Sequence, residues 1–279
     1  MKKSSPVSIF KNKVAIITGA GSGIGKGLAE ELASRGAYMV ISDINTERVQ
    51  RVADDIVRSD GNVNALELDV SDYTAVKKMI DNTVATHGRI DYVFNNAGIA
   101  IGGPAKDFSI DDWRNVINVN LNGVVYGVAV AYPIMVNQGF GHIINTASIG
   151  GLAPLLGIAS YVTSKYGVVG LSNALRIEGA HHGVKVSVVC PGYVRTSIFN
   201  DSKNINIDRQ NLKPFPDRMG VTSEECAKMI LSGVERNDAF IVVTAFAKFL
   251  WALNRISPDL VIGIMKRQYG KAVEKGIIK

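Results

Sequence analysis

Tyr161 and Lys165 stand four residues apart in the stretch Tyr161-Val162-Thr163-Ser164-Lys165. On a helix that spacing puts both side chains on one face. An ammonium group beside a phenol stabilises the phenolate and lowers the tyrosine pKa from its unperturbed value of about 10. The pair then forms a proton carrier suited to an alcohol or a carbonyl. The same spacing arises by chance on many amphipathic helices, so the pair carries chemistry only in the right company. Two features supply it: the run Gly19-Ala20-Gly21-Ser22-Gly23-Ile24-Gly25 and the carboxylate of Asp43.

The glycine run follows Lys13 to Thr18, a near-continuous β-branched run of the kind buried on both faces of a parallel sheet. After it a helical pattern passes through Leu28, Ala29, Leu32 and Ala33 to Gly36. Strand, glycine turn and helix make a phosphate-binding arrangement. Glycines let backbone N–H groups approach a pyrophosphate, and the helix N-terminus carries partial positive charge. The spacing is Gly19-x3-Gly23-x-Gly25, not G-x-G-x-x-G, and a Walker loop would need glycine at Ala20 and Ser or Thr at Gly27. An ordinary tight connection between strand and helix is the bland alternative. A second strand, Tyr38 to Ser42, ends at Asp43, where a carboxylate accepts from adenosine ribose hydroxyls and repels a 2′-phosphate. Ile44, not an arginine, comes next, which favours NAD over NADP. Asp43 as a helix N-cap is the structural alternative, although Asn45 and Thr46 serve equally.

The elements that must position these groups alternate along the chain. Asn62 to Leu68 reads as a strand ending at Asp69-Val70, with Ser71 capping a helix to about His87. Ile90 to Phe94 is a fourth strand, ending in Asn95-Asn96-Ala97-Gly98, where amides brace a loop as readily as they meet a ligand. Ser109 or Asp111 opens a long helix to about Met135 that contains Asn118, Asn120 and Asn122. Amides have poor helix propensity, so at least one of them has another task. Gly141 to Thr146 is a fifth strand before Ala147-Ser148, and Ile149 to Ile158 has the character of an apolar pocket wall. The helix Ala159 to Ala180 carries Tyr161 and Lys165. Val184 to Cys190 is a sixth strand, running into Pro191-Gly192-Tyr193-Val194-Arg195-Thr196, and Phe240 to Val243 a seventh. Between them lie a polar stretch of lid-like length, 197–219, and a helix opened by Thr222 with Glu225 at the capping-box offset. One doubly wound domain, residues 1–279, with its sites at strand C-termini is the expectation.

Composition agrees: 47% of the 279 residues are hydrophobic and 20% charged, as in a globular chain. The net charge of +6 contains no run of five like charges, so nucleic acid is not an expected partner. Cys190 and Cys226 lack CxxC spacing, and His87, His142, His181 and His182 form no ligand pattern. Neither a disulfide nor a metal site is expected. Met1 to Phe10 has no apolar core of signal-peptide length, which makes cytoplasmic the default location.

Taken in this order, these residues resemble the short-chain dehydrogenase/reductase family in its single-domain branch, over roughly Lys13 to Thr196. Thr18-Gly19-x3-Gly23-Ile24-Gly25 resembles that family's cofactor turn. The resemblance implies an α/β Rossmann fold with a parallel sheet of about seven strands, helices on both faces and a helical C-terminal extension. It implies hydride transfer between NAD(H) and an alcohol or ketone, with Asn120, Ser148, Tyr161 and Lys165 as the catalytic tetrad. Tyr161 would exchange the hydroxyl proton and Lys165 would lower its pKa and bond the nicotinamide ribose. Ser148 would hold the carbonyl oxygen, and Asn120 a water connecting Lys165 to solvent. For the cofactor it implies Gly19, Gly21, Ser22, Gly23 and Ile24 in the turn, Asp43 at the ribose, and Asp69 at the adenine with Val70 beside it. Asn96, Ala97 and Gly98 would brace the sheet beside the cofactor, and Pro191, Gly192, Val194 and Thr196 would hold the nicotinamide carboxamide. A homodimer or homotetramer is the implied assembly.

Rival readings share the fold. A non-catalytic dinucleotide sensor would have lost Ser148, Tyr161 or Lys165, and none is lost. A carbonyl reductase using NADPH would lack the acidic selector. An epimerase or dehydratase would need a larger substrate domain than the about 80 residues after Thr196. In that remainder, Ala245 to Met265 reads as two short helices broken at Ser257-Pro258, each with an apolar face flanked by basic residues. Three uses are open: packing on the core or another subunit, roofing a site for a lipophilic alcohol (steroid, retinoid or fatty), or resting on a membrane surface.

Overall fold

Five consecutive buried residues, Val14–Thr18 (β1), form a strand covered on both faces, since no half-exposed strand hides a continuous apolar run. The computed structural model describes residues 8–196, 198, 201–208 and 220–279. The other strands are Tyr38–Asp43 (β2), Asn62–Glu67 (β3), Tyr92–Asn95 (β4), the two-residue Ile101–Gly102 (β5), Gly141–Thr146 (β6), Val184–Pro191 (β7), the equally short Lys203–Asn204 (β8) and Phe240–Val243 (β9). Among the described residues, seven of them form one parallel sheet in the order β3-β2-β1-β4-β6-β7-β9. The order reverses between β1 and β4, the switch point where such sheets receive ligands.

The helices are Gly23–Ser34 (α1), Thr46–Arg58 (α2), Tyr73–His87 (α3), Ile110–Ile117 (α4), Gly123–Gln138 (α5), Ala159–Gly179 (α6), Ser223–Glu235 (α7), Ala245–Ile256 (α8) and Pro258–Glu274 (α9). Neighbouring strand residues point to opposite faces, and each face has its own core. Ile16, Val93, Ile143 and Val186 pack with Val76, Val124 and Val168 of α3, α5 and α6. Ile17, Phe94, Ile144 and Val189 pack with Leu28, Val49 and Ile230 of α1, α2 and α7.

Local chemistry explains where elements depart from the expected bounds. The Asn45 side chain accepts the Arg48 N–H at 2.8 Å and caps α2, which leaves Asp43 free of that task. Asp72, not Ser71, caps α3 by accepting from Thr74 and Ala75; Ser71 instead donates to Asp69 at 2.7 Å. The fourth strand starts at Tyr92, because the Ile90 N–H and C=O are both taken by the Gln138 side chain at 2.9 Å. The long central helix opens at a Ser109–Asp112 capping box and loosens into one π-helical turn, Asn118–Asn122, between α4 and α5. By length and composition Ile110–Gln138 would pass for a membrane span, but 44% of its apolar window is buried inside the protein, as in a core helix.

β5 and β8 form a second, two-stranded sheet that no sequence pattern announced, being too short for one. Of the polar stretch expected as a lid, residues 198 and 201–208 are described; the rest lies outside the described residues, as does Met1 to Val7. α8 and α9 break at Ser257-Pro258 as expected, with Pro258 in the first turn of an α9 that runs on to Glu274.

Candidate active site

The glycine turn leaves β1 at Gly19, whose φ of +67° lies in the left-handed region. A Cβ there would lie 2.7 Å from Ala97 Cα, and one on Gly25 2.1 Å from the Gly19 carbonyl oxygen, so backbone passes backbone at both points. Ser22, at the N-cap of α1, makes no capping hydrogen bond, and the first turn holds no acidic residue. The first amides of α1 therefore present positive charge to an anion. Asp43 accepts the Gly21 N–H at 2.9 Å and the Asn45 N–H at 2.9 Å, which fixes its carboxylate beside the turn. These features fit a dinucleotide.

The neighbouring segments close on that turn. Thr18 Oγ1 accepts from the Asn96 and Ala97 N–H groups at 3.0 and 3.2 Å, and Asn96 Nδ2 donates to the Thr18 carbonyl at 3.0 Å. A Cβ on Gly23 would sit 3.2 Å from the Thr196 methyl, so the chain after β7 reaches the turn. Gly192 donates to the Val243 carbonyl at 3.0 Å, and Val194 bridges to Val221. Asp69 stands exposed after β3, and Val70 packs where a Cβ on Gly123 would approach within 2.9 Å.

On the other side of the switch point four side chains converge. Ser148 follows β6 and accepts the Gly150 N–H at 3.1 Å; a Cβ on Gly150 would lie 3.6 Å from both Ser148 Oγ and the Tyr161 ring edge, so the two side chains are neighbours. Lys165 Nζ lies 5.5 Å from the Tyr161 ring centroid and donates to the Thr146 carbonyl at 2.8 Å. A Cβ on Gly98 would approach Asn120 Oδ1 to 3.3 Å and Lys165 Nζ to 3.4 Å, which places both at the end of the β4 segment. Asn120, on the π turn, accepts the Ile99 N–H at 2.8 Å and donates to the Ile99 carbonyl at 2.9 Å and to Ser164 Oγ at 3.2 Å. Ser164 in turn donates to the Tyr161 carbonyl at 2.7 Å.

Burial dominates the protonation of this cluster. It pushes the Tyr161 phenol above its ordinary range, opposed by the neighbouring Ser148 hydroxyl. The sequence had suggested a phenol lowered by Lys165; desolvation of the enclosed ring wins instead. Burial likewise pushes Lys165 down to about 8. The Cys190 thiol, at the end of β7 beside them, is pushed up to about 12 by burial and stays protonated at neutral pH.

The open side of Tyr161 is aliphatic. It shares an apolar cluster with Ala100, Ile101 and Val116, against which Ile99, Phe108, Ile158, Ile198 and Ile205 pack. The expected wall at Ile149 to Ile158 is only partly present: Ile149, Leu152 and Ala153 turn into the main core, and Ile158 joins the Tyr161 cluster. Sequence reasoning assigned no role to Ser164, the Thr146 carbonyl or the Thr18 hydroxyl. Only the i+3 spacing of Ser164 from Tyr161 gave a signal. Surface hollows over β2 and β3 (lined by Tyr38, Asn62 and His87) and beside β9 (Arg236, Lys248 and Trp251) lie away from this cleft. Among the described residues no three His, Cys, Asp or Glu side chains gather as metal ligands.

The sequence profile described as short chain dehydrogenase matches residues 13–206. The chain belongs to the short-chain dehydrogenase/reductase family. It is 44% identical to a cyclohexanol dehydrogenase of Acinetobacter sp. (strain SE19) over 234 residues, 83% of this chain and 91% of the relative. It is 39% identical to meso-2,3-butanediol dehydrogenase of Serratia marcescens over 191 residues, 68% and 75% of the two chains. Among solved structures, a short-chain dehydrogenase/reductase from Burkholderia phymatum in complex with NAD matches with a TM-score of 0.80 at 29% identity, covering 90% of this chain and 95% of that one. This short-chain dehydrogenase/reductase is therefore an NAD(P)-using oxidoreductase that acts on a small-molecule alcohol or its carbonyl counterpart.

Proposed function

We propose that this enzyme interconverts an apolar secondary alcohol and its ketone with NAD(H), using Tyr161 as the proton-exchanging group. The observation that carries the reading is the placement of Tyr161: beside Ser148, backed by Lys165, and facing an apolar cluster. The nicotinamide, when bound, supplies or accepts the hydride. Ser148 holds the substrate oxygen and stabilises charge that develops on it. Tyr161 takes the hydroxyl proton in oxidation and returns it in reduction. Lys165, buried 5.5 Å from the ring centroid, places its charge beside the phenolate and bonds the ribose. The Asn120 amide is engaged by Ile99 and Ser164, and in this reading it ties the segment after β4 to the helix of Tyr161 and Lys165. The aliphatic cluster supports a lipophilic substrate, and the cyclic secondary alcohol named for one relative supports cyclohexanol as the first probe.

With cyclohexanol, Tyr161→Phe lowers kcat by about a thousandfold, the loss expected of a general base, while the NAD dissociation constant from fluorescence titration stays within about threefold of wild type. Retained turnover in this variant rejects the assignment.

NAD over NADP is part of the reading, carried by the Asp43 carboxylate on the Gly21 N–H. So are a single working unit, with residues 13–196 holding cofactor and chemistry and 197–279 the substrate side, and a homodimeric or homotetrameric assembly. We also place this cytoplasmic enzyme in peripheral contact with an anionic membrane through its tail. Residues 245–279 hold seven Lys or Arg against two Asp or Glu, so they carry +5 of the chain's net +6. Phe246, Phe249, Ile256, Leu260, Ile262 and Ile264 of the same two helices are exposed. Apolar anchors interleaved with positive charge match an anionic lipid surface.

A further inference from the structure

Residues 203–208 enter the apolar pocket from a segment that the main sheet does not hold. One edge of it pairs with β5: Lys203–Asn204 runs parallel to Ile101–Gly102, and Ile205 donates to the Gly102 carbonyl at 2.8 Å. Lys203 Nζ bonds Asp112 Oδ1 at 2.6 Å, and the Asp112 side chain is only 8% exposed. The other edge is bound by residues 277–279. Ile278 bridges antiparallel to Ile207, Asp208 donates to the Ile277 carbonyl at 2.9 Å, and Lys279 donates to the Asn206 carbonyl at 3.0 Å. Ile278 is buried, yet it stands outside the three apolar clusters of the described residues. Its burial therefore serves this segment and not the core. Between the two edges sits Ile205, packed against the cluster of Tyr161, with its carbonyl 2.5 Å from where a Cβ on Gly103 would lie. That approach leaves Ile205 little freedom as long as both edges hold.

We propose that Ile277–Lys279 form a strap that fixes Ile205 in the substrate pocket, so that Ile278 and Lys203 are positioning residues for apolar substrates. The inference rests on the alcohol-oxidising reading above. Removing Ile277–Lys279 frees the Asp208 N–H and the Asn206 carbonyl, and the segment regains backbone freedom. Ile205 then ceases to be a fixed wall. A wall that contacts the substrate equally in the ground and transition states acts on KM and leaves kcat alone.

The test compares the full chain, a chain ending at Gly276, Lys203→Met and Lys203→Arg. Amide hydrogen exchange at residues 203–208 is measured, together with KM and kcat for cyclohexanol and for 2-propanol, whose smaller apolar surface makes fewer wall contacts. In the shortened chain and in Lys203→Met, exchange at these amides rises and the cyclohexanol KM increases about tenfold, the scale of one apolar pocket contact. Its kcat, the 2-propanol KM and NAD affinity stay within about twofold, and Lys203→Arg restores wild-type values. Unchanged exchange in the shortened chain overturns the strap. Raised exchange with an unchanged cyclohexanol KM overturns the positioning role, as do equal losses for both alcohols with a lowered thermal midpoint. A wild-type enzyme that oxidises neither alcohol overturns the functional reading alone, and exchange then decides the strap.

Discussion

Burial moves the two groups of the Tyr161–Lys165 pair in opposite directions: the phenol rises, and the ammonium falls to about 8. The sign of the pH dependence follows. Alcohol oxidation needs the phenolate, so kcat/KM for oxidation climbs with pH well into the alkaline range, whereas carbonyl reduction, which needs the phenol, falls only there. The neighbouring Ser148 hydroxyl works against the rise. Ser148→Ala therefore shifts the oxidation limb to higher pH and lowers kcat by about a hundredfold through the lost support of the substrate oxygen. Profiles of kcat/KM against pH for the two proteins check this, and a limb that stays in place removes Ser148 from the role. Asp43→Ser removes the like charge facing a 2′-phosphate. Arg48 stands close by, its Cβ 2.9 Å from where a Cβ on Gly21 would lie and its guanidinium paired with Asp201 at 3.2 Å. The NADP-to-NAD ratio of kcat/KM rises at least about tenfold in this variant, as steady-state kinetics with both cofactors will show. The juxtaposition of Tyr161 with Lys165, and of Asp43 with the glycine turn, was legible because it follows from residue type and place along the chain. The direction of the Tyr161 shift was not, because a neighbouring charge is written in a sequence and burial is not.

The π turn shows how an element supplies what a residue cannot. A regular helix through Asn118–Asn122 would carry Asn120 past Ile99, whereas the widened turn sets its amide against both backbone groups of that residue. Asn120→Ala leaves the Ile99 N–H and carbonyl without that partner and lowers unfolding stability by about 2–4 kcal/mol, measured by urea titration. Thr222→Ala, which removes one half of a surface capping box, costs about 1 kcal/mol in the same experiment and serves as a scale. A smaller loss for Asn120→Ala than for Thr222→Ala rejects the structural part of this account. Three asparagines in one helix announced an irregularity, and strand periodicity placed all seven strands of the large sheet. What stayed hidden was decided by partners remote in sequence. Gln138 takes Ile90 out of the fourth strand, and β5 and β8 are visible only where the chain brings them together.

At the scale of the whole molecule, charge and exposed apolar surface are unevenly distributed. The chain outside residues 245–279 is nearly neutral, while residues 245–279 carry the excess positive charge beside exposed phenylalanine, isoleucine and leucine side chains. Each basic residue near an anionic surface contributes about 1 kcal/mol, an attraction that salt screens. The full chain therefore co-sediments with vesicles containing phosphatidylserine, less so with phosphatidylcholine alone, and is released by high salt. Phe249→Glu, on a side chain 65% exposed, abolishes the association without unfolding the protein. Binding that ignores lipid charge rejects the electrostatic part, and a change in subunit number on Phe249→Glu assigns the face to a second copy instead. The apolar stripes were readable from the sequence; that α8 buries one side, through Ala247 and Leu250, and leaves the other bare was a matter of packing.

The bond from Gly192 to the Val243 carbonyl also has a meaning in time. A chain leaving the ribosome has exposed the glycine turn, Asp43, Ser148, Tyr161 and Lys165 long before β9 emerges, about fifty residues after Gly192. Until then β7 is an open sheet edge, and the Pro191–Gly192 segment beside the cleft lacks the acceptor that sets its course. The nascent protein thus owns its chemistry before it owns a finished site. A chain that stalls before residue 243 leaves the outer edge of β7 unpaired, its N–H and C=O groups open to another strand.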